Sequence, residues 1–254
     1  MAKLVEITSF LDKYLDLETF KDDSSNNGLQ VEASEEITKA VFAVDGCQAS
    51  IDFAVKEKAQ LLFVHHGLSW GAHPKRFDGI HAKRFGTLFR NGVSLYAAHL
   101  PLDGHPEVGN NAVLADIIGL QERKGFFFYD GDYIGVQGSI AEPVTVALAA
   151  GKISSVIGGE PVILGDPERK VSRICIVSGG GGSQSVNLCA AAGCELVITG
   201  ELTHQMYHDA VEQEVSLIAL GHYASETTGP RAVMKLLGEK FGIETVFADI
   251  PTGL

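Results

Sequence analysis

Apolar residues along this chain fall into two rhythms. Uninterrupted runs at Val41–Val44, Leu61–Val64, Ile174–Val177 and Leu196–Ile198 are short, rich in Val, Ile and Leu, and bounded by polar or glycine turns. Runs of that length and composition predict strands buried on both faces, as in a parallel sheet. Between the members of each pair, apolar residues recur at helical spacing, from about Ala49 to Ala59 in the first and from about Gln184 to Ala192 in the second. Each pair therefore reads as a parallel βαβ unit.

The two stretches also match each other farther along. Val93-Ser-Leu-Tyr-Ala-Ala-His99 is answered by Val215-Ser-Leu-Ile-Ala-Leu-Gly-His222, and each histidine is followed four residues later by an acid, Asp103 or Glu226. Each acid precedes a predicted helix, Asn111–Ile118 and Pro230–Leu237. The matched histidine and acid tips favour an internal duplication; for the strands alone, convergence of two βαβ units is the alternative. Residues 124–170 read differently, with strands predicted around Phe126–Phe128, Tyr129, Tyr133 and Ile134–Ile140 and a helix at Val144–Ser154. Leu4–Leu15 has helical spacing. The expected fold class is α/β, with two domains related by duplication, each holding a central mixed or mostly parallel sheet flanked by helices. Their expected extents are 1–123 with 223–254, and 124–222.

Composition narrows the setting. With 254 residues and 45% apolar positions, the chain resembles ordinary globular proteins and is long enough to bury a core without staples. Its formal charge of −12 repels phosphate backbones and anionic membranes, which argues against long nucleic acid as a partner. No apolar run reaches the length of a membrane span, and Met1 to Leu17 interleaves Asp and Glu with its apolar residues, unlike a secretory signal. Cys47, Cys175, Cys189 and Cys194 form no CxxC pair, so a reducing, cytoplasmic location is expected.

Histidines concentrate where the predicted strands end. His65, His66, His99, His105 and His222 lie at or just after those C-terminal ends, the edge at which open parallel sheets bind ligands. Adjacent strand residues point to opposite faces, so His65 and His66 share one site only if the strand ends between them, which Gly67 favours. Proline in His99-Leu-Pro-Leu-Asp103 disfavours a helix interior, so imidazole and carboxylate are expected to converge from a loop or first turn. His222-Tyr-Ala-Ser-Glu226 is expected to do likewise.

Together, His65, His66, His99, Asp103, His222 and Glu226 supply four imidazoles and two carboxylates. At about three protein ligands per ion they suit two divalent cations. Nitrogen and oxygen donors without thiolate favour Zn, Fe, Mn, Co or Ni over Mg or Ca. Such a pair would reverse the local field and let an acidic protein take a small anionic or nucleotide ligand. The bland alternative makes each histidine a core or surface residue, the role assigned to His73, His81 and His105, which lack a counterpart in the other half.

His204-Gln-Met-Tyr-His208 imitates a metalloprotease helix but has Gln205 where the general-base Glu is needed, so peptide hydrolysis by that route is not expected. His208 remains a candidate proton donor. Glu201 answers His66 in the repeat and is a second candidate for proton transfer; its alternative role is to cap the following helix. In Ser178-Gly-Gly-Gly-Gly-Ser183, the backbone N–H groups of Gly179, Gly180 and Gly181 are candidate phosphate binders between strand and helix. A turn needing positive φ is the alternative. Asn26-Asn-Gly-Leu-Gln30 is a turn by composition whose side-chain amides are able to orient a substrate. Trp70 either stacks on a base or fills an interface.

Taken in combination and in order, certain motifs carry a resemblance. Asn27-Gly-Leu-Gln-Val31, Val64-His-His-Gly67, Ala98-His-Leu-Pro-Leu-Asp103, Gly109-Asn-Asn-Ala112, Ser178-Gly-Gly-Gly181, Ile198-Thr-Gly-Glu201 and Gly221-His-Tyr-Ala-Ser-Glu226 resemble the GTP cyclohydrolase 1 type 2 homologues, or NIF-three-like proteins, across nearly the whole chain. The resemblance implies two α/β domains, a dinuclear metal centre built from the six donors, and a toroidal homohexamer whose sites face an internal cavity. The preferred functional reading is a metal-dependent hydrolase of a nucleotide or related small molecule. For a GTP-like substrate, attack at C8 of guanine would open the imidazole ring and release formate. The competing class is a non-catalytic metal-binding scaffold, metallochaperone or regulatory protein, distinguished by metal positions saturated with protein ligands.

Overall fold

The structure, a computed structural model, describes residues 1–129 and 131–254. The chain opens with β1 (Ala2–Lys3), α1 (Leu4–Tyr14), β2 (Gly28–Val31), β3 (Glu36–Ile37), β4 (Lys39–Asp45), α2 (Gln48–Lys56), β5 (Leu61–His66), α3 (Gly79–Arg90) and β6 (Ser94–Ala97). It continues through α4 (Leu100–Gly104), α5 (Asn110–Ile118), β7 (Gln121–Tyr129), β8 (Asp132–Thr145), α6 (Val146–Ile157), β9 (Val162–Leu164), β10 (Lys170–Val177) and α7 (Gly182–Ala191). It closes with β11 (Leu196–Thr199), α8 (Met206–Glu212), β12 (Ser216–Ala219), α9 (His222–Ser225), α10 (Thr228–Phe241) and β13 (Glu244–Phe247). Among the described residues, no helix is long and apolar enough to cross a membrane.

Two compact units result, Met1–Leu102 with Gly229–Ile250, and Asp103–Thr228 with Pro251–Leu254. The chain thus crosses between them at Leu102–Asp103, Thr228–Gly229 and Ile250–Pro251 rather than near 123 and 223. The reason is α5, whose Leu114, Ala115 and Ile118 join the core made by Ile140, Val146, Ile153 and Ile174.

In the first unit the sheet order is β13-β4-β5-β6-β2, parallel except for β2, which pairs antiparallel with β6. Both faces are buried, as the uninterrupted apolar runs require. Val41, Ala43, Leu62, Val64, Leu95 and Ala97 share one core with Ile51, Ala54, Phe85 and Leu88 of α2 and α3. Toward the other face, Phe42, Phe63 and Tyr96 stand in register across three strands, with neighbouring ring centroids 5.5 and 5.7 Å apart. The Tyr96 hydroxyl donates to Asp12 Oδ1 of α1 at 2.8 Å. Burial, reinforced by that carboxylate, holds it protonated far above the ordinary tyrosine range.

The second unit orders its strands β7-β8-β10-β11-β12-β9, with β10, β11 and β12 parallel. The aromatic stretch from residue 124 forms the antiparallel β7–β8 pair at one edge. Side chains of β10 alternate between two cores: Ile174 and Ile176 pack with α5 and α6, whereas Cys175 and Val177 pack with Val186 and Cys189 of α7 and Met206 of α8. The order β4-α2-β5-α3-β6-α4 in the chain recurs as β10-α7-β11-α8-β12-α9. Each series ends on a short helix that carries or is capped by an acid, Asp103 in α4 and Glu226 at the C-cap of α9.

Candidate metal centre

Parallel pairing sets the first unit's histidines at one sheet edge. His65 and His66 end β5, and His99 follows β6. Their ligand nitrogens lie within 4.8 Å of one another, and the ring centroids are separated by 4.6, 5.1 and 5.6 Å. The strand runs through His66, which pairs with Asp45 in the ladder, so it does not end between the two histidines. The ladder stops at His66, and the two rings nonetheless lie side by side, their centroids 4.6 Å apart.

Each ring is held at Nδ1. His65 donates to the Ala98 carbonyl at 2.9 Å, His66 to Asp45 Oδ1 at 2.8 Å and His99 to Asp23 Oδ1 at 2.9 Å. An oxygen acceptor at Nδ1 fixes the ring hydrogen there and puts the lone pair on Nε2, the tautomer that ligates metals. Burial pushes the Asp23 carboxyl up, but His99, Asn27 and the Ser25 N–H outweigh it and leave it below the usual carboxylate value. Trp70 walls this cluster: its Nε1–H donates to the Gly67 carbonyl at 2.9 Å, and its ring stands edge-on to His99 at 5.1 Å.

The second unit offers a different set. Asp103 and Glu226 are 7% and 3% exposed, with ligand oxygens within 4.8 Å of each other. Two buried carboxylates at that range call for a cation or a proton between them. His222 provides part of the answer, with Nε2 3.2 Å from Glu226 Oε2 and Nδ1 2.6 Å from Glu201 Oε1. Glu226 first, then Glu201, push the imidazolium up to about 9 against the effect of burial. The Asp103 carboxylate is fixed at Oδ1 by the Asn110 amide at 2.9 Å and the Ser178 hydroxyl at 3.2 Å. Three imidazoles in one unit, and paired carboxylates with an imidazole in the other, are donor sets that divalent cations fit.

Other expected residues take different places. Gly179 sits at φ +61°, and a Cβ there would overlap Glu226 Oε1, so glycine is required for this close approach. Its N–H donates to Ser225 Oγ at 3.0 Å, and its carbonyl accepts the N–H groups of Gly200 and Glu201, each at 3.0 Å. The loop braces the donors. Glu201 Oε2 lies over Gly180, 3.6 Å from where a Cβ would stand, so an anion approaching Gly180 or Gly181 from that side would meet a carboxylate. Glu201 itself holds His222 and does not cap α8, which begins at Met206. His208 is exposed on α8 with its ring edge-on to Tyr207 at 5.3 Å, and among the described residues no hydrogen bond ties it to the donors. His204 precedes α8 and shares no helical face with it.

Asp23 and Asp45 are the functional residues that the sequence reading overlooked. Asp45 had a signal, since it ends β4 and must face the end of β5 in a parallel pair; Asp23 lies in a polar turn without one. The Asn26–Gln30 turn proves to be a buttress. Asn27 Oδ1 accepts the His99 backbone N–H at 2.8 Å, and Gln30 Oε1 accepts those of Leu68 and Ser69 at 2.7 and 3.0 Å.

These features define a two-unit α/β protein with clustered imidazole and carboxylate groups able to hold metal ions. The chain belongs to the Duf34/NIF3 (NGG1p interacting factor 3) family, whose pattern matches residues 2–253. It is 45% identical over 253 residues to the GTP cyclohydrolase 1 type 2 homolog of Pyrococcus horikoshii, covering 98% of each chain. The corresponding protein of Archaeoglobus fulgidus is 44% identical over 251 residues, with 99% of each covered. Among solved structures, TTHA1606 from Thermus thermophilus is similar at 37% identity and a TM-score of 0.89, over 100% of both chains. Reduced HcgD from Methanocaldococcus jannaschii is similar at 26% identity and a TM-score of 0.84, over 98% of both.

Proposed function

We propose that this protein is a metal-dependent hydrolase of a nucleotide or related small molecule, using two divalent ions held by His65, His66, His99, Asp103, His222 and Glu226. One observation carries the reading: all four histidines have Nδ1 on an oxygen acceptor, Ala98, Asp45, Asp23 or Glu201. Outer partners of this kind orient imidazoles for metals, and four unrelated core histidines would have no common reason to share them. The naming of the curated relatives supports the substrate class.

When bound, a pair of divalent ions supplies Lewis acidity and a water that is nucleophilic near neutral pH. The chain's own residues do the rest. Ala98, Asp45 and Asp23 fix three ring tautomers, and Asn110 and Ser178 fix the Asp103 carboxylate. Glu201, half-exposed and bonded to His222, orients that ring through Oε1 and receives a proton at Oε2. The reaction class is hydrolysis at an electrophilic carbon, C8 of guanine for a GTP-like substrate, with formate released. A toroidal homohexamer in the cytoplasm belongs to the same proposal, with light scattering as its check.

The test measures bound metal and turnover of GTP and a broad nucleotide panel, beside His65→Ala and Glu226→Ala. We expect two divalent ions per chain and turnover that disappears with metal in both variants. Full metal occupancy without turnover of any nucleotide would replace the hydrolase with the scaffold.

A further inference from the structure

Three of the four free cysteines meet in the second unit, where the metal chemistry uses none of them. Arg173, Cys175 and Val177 alternate onto one face of β10, and the core on that face contains Cys175 and Cys189 with Cys194 packed against it. Gln137 stands opposite Cys175 in the β8–β10 ladder, and the Cys194 thiol donates to Gln137 Oε1 at 3.8 Å. The Cys194 N–H also reaches the Cys189 carbonyl, at 2.9 Å. The Cys175 thiol hydrogen-bonds with Cys189 and Cys194, and those bonds, with burial, hold it protonated well above the ordinary cysteine value.

Exposure separates the three. Cys175 and Cys189 are fully buried, whereas Cys194 is partly exposed and lines a cavity of about 540 Å³ with Glu122, Arg123, Lys124, Ser139 and Arg173. Three cations against one carboxylate make this wall basic on a chain of net charge −12. The Arg123 guanidinium is spent on Asp116. That of Arg173 lies against Gly193, the residue before Cys194, with Nη1 3.0 Å from where a Cβ would stand. Hydrogen bonding from Cys175 lowers the Cys194 pKa. Burial opposes it, Arg173 adds to it and Glu195 works against it, leaving the thiol below the ordinary cysteine value. A half-exposed, acidified thiol beside cations is the reactive kind.

We propose that Cys194 exchanges with the disulfide of a small acidic thiol held in this basic cavity, and that Cys175 resolves the adduct into an internal disulfide. The Cys194 thiolate attacks one sulfur of the small disulfide, whose S–S bond breaks and releases one thiolate. Cys175 then gives its proton to that thiolate, attacks Cys194 Sγ and expels the second small thiolate. One external disulfide is reduced as Cys175 and Cys194 are oxidised to one bridge.

The reduced, full-length protein is treated with glutathione disulfide and followed by intact mass and peptide mapping. Cys47, half-buried like Cys194 but capping α2 in the other unit, is the internal reference. Cys194 should be consumed about tenfold or more faster than Cys47, giving a Cys175–Cys194 bridge that dithiothreitol reverses. Cys175→Ser should stop at a Cys194–glutathione adduct. Arg173→Gln should slow glutathione disulfide several-fold more than it slows the uncharged 2-hydroxyethyl disulfide. Reaction of Cys194 at the rate of Cys47, a bridge that omits Cys194, or equal slowing of both disulfides would overturn the proposal. Wild-type mapping decides the pairing even if Cys175→Ser fails to fold.

Discussion

The two units hold their donors with opposite charge logic. In the first, the donors His65, His66 and His99 are all imidazoles, and the carboxylates stand behind two of them, on Asp45 and Asp23. In the second, the charge sits on the donors Asp103 and Glu226, and Asp103 is steadied by the neutral side chains of Asn110 and Ser178. His222 is the exception, with Glu201 behind it. Two carboxylates, Asp45 and Asp23, stand behind the first set, whereas Asp103, Glu226 and Glu201 accompany His222 in the second. A shared strand and helix order thus carries two unlike donor sets, each placed at the strand ends.

The strongest way to break this comparison is to remove a donor. His65→Ala and Glu226→Gln should each weaken metal binding by more than about 100-fold, since loss of an outer partner alone costs about 10–100-fold. Competition with a chelator of known affinity reads this directly. Unchanged affinity in Glu226→Gln would remove the carboxylate half from the account.

Outer partners sharpen the contrast at the next level. Asp23→Asn and Asp45→Asn keep shape but remove the charge on which a neutral set depends, so each should cost about 10–100-fold in affinity. Asn110→Ala, behind a donor that carries its own charge, should cost less. Equal losses would show that the charge is not partitioned as described.

A smaller effect comes from pH. In the metal-free protein His222 is raised from 6.5 to about 9, so metal binding to its unit must release a proton below that pH. Affinity should fall about tenfold for each pH unit below about 9, which calorimetry in buffers of different ionisation enthalpy detects. The linked stability has the opposite trend. A raised histidine pKa stabilises the folded, metal-free chain fully below 6.5 and loses that contribution as pH climbs to about 9. The metal-free melting temperature should decline over this window, and His222→Gln should flatten the decline.

Much of this arrangement could be read from residues alone. A strand buried on both faces appears as an unbroken apolar run, and its C-terminal end is where polar residues resume, which is why His65, His66, His99 and His222 stood out. Outer partners leave no such trace. Asp23 is 76 positions from His99 and Asp45 is 21 from His66, so only the folded sheet shows that they meet. Glu201 was placed by the repeat, but its task depended on α8 starting as late as Met206, which frees the carboxylate for His222. The glycine loop suits an anion site and equally a close backbone approach, the latter seen at Gly179 against Glu226. Composition does not distinguish those two uses of glycine.

Anomalous diffraction at the absorption edge of the bound metal examines the pairing of the two donor sets most directly. The account predicts two peaks per chain, each about 2.0–2.3 Å from nitrogen or oxygen atoms of His65, His66, His99, Asp103, His222 and Glu226. Peaks held by other side chains, or six donors without a peak in metal-replete crystals, would contradict it.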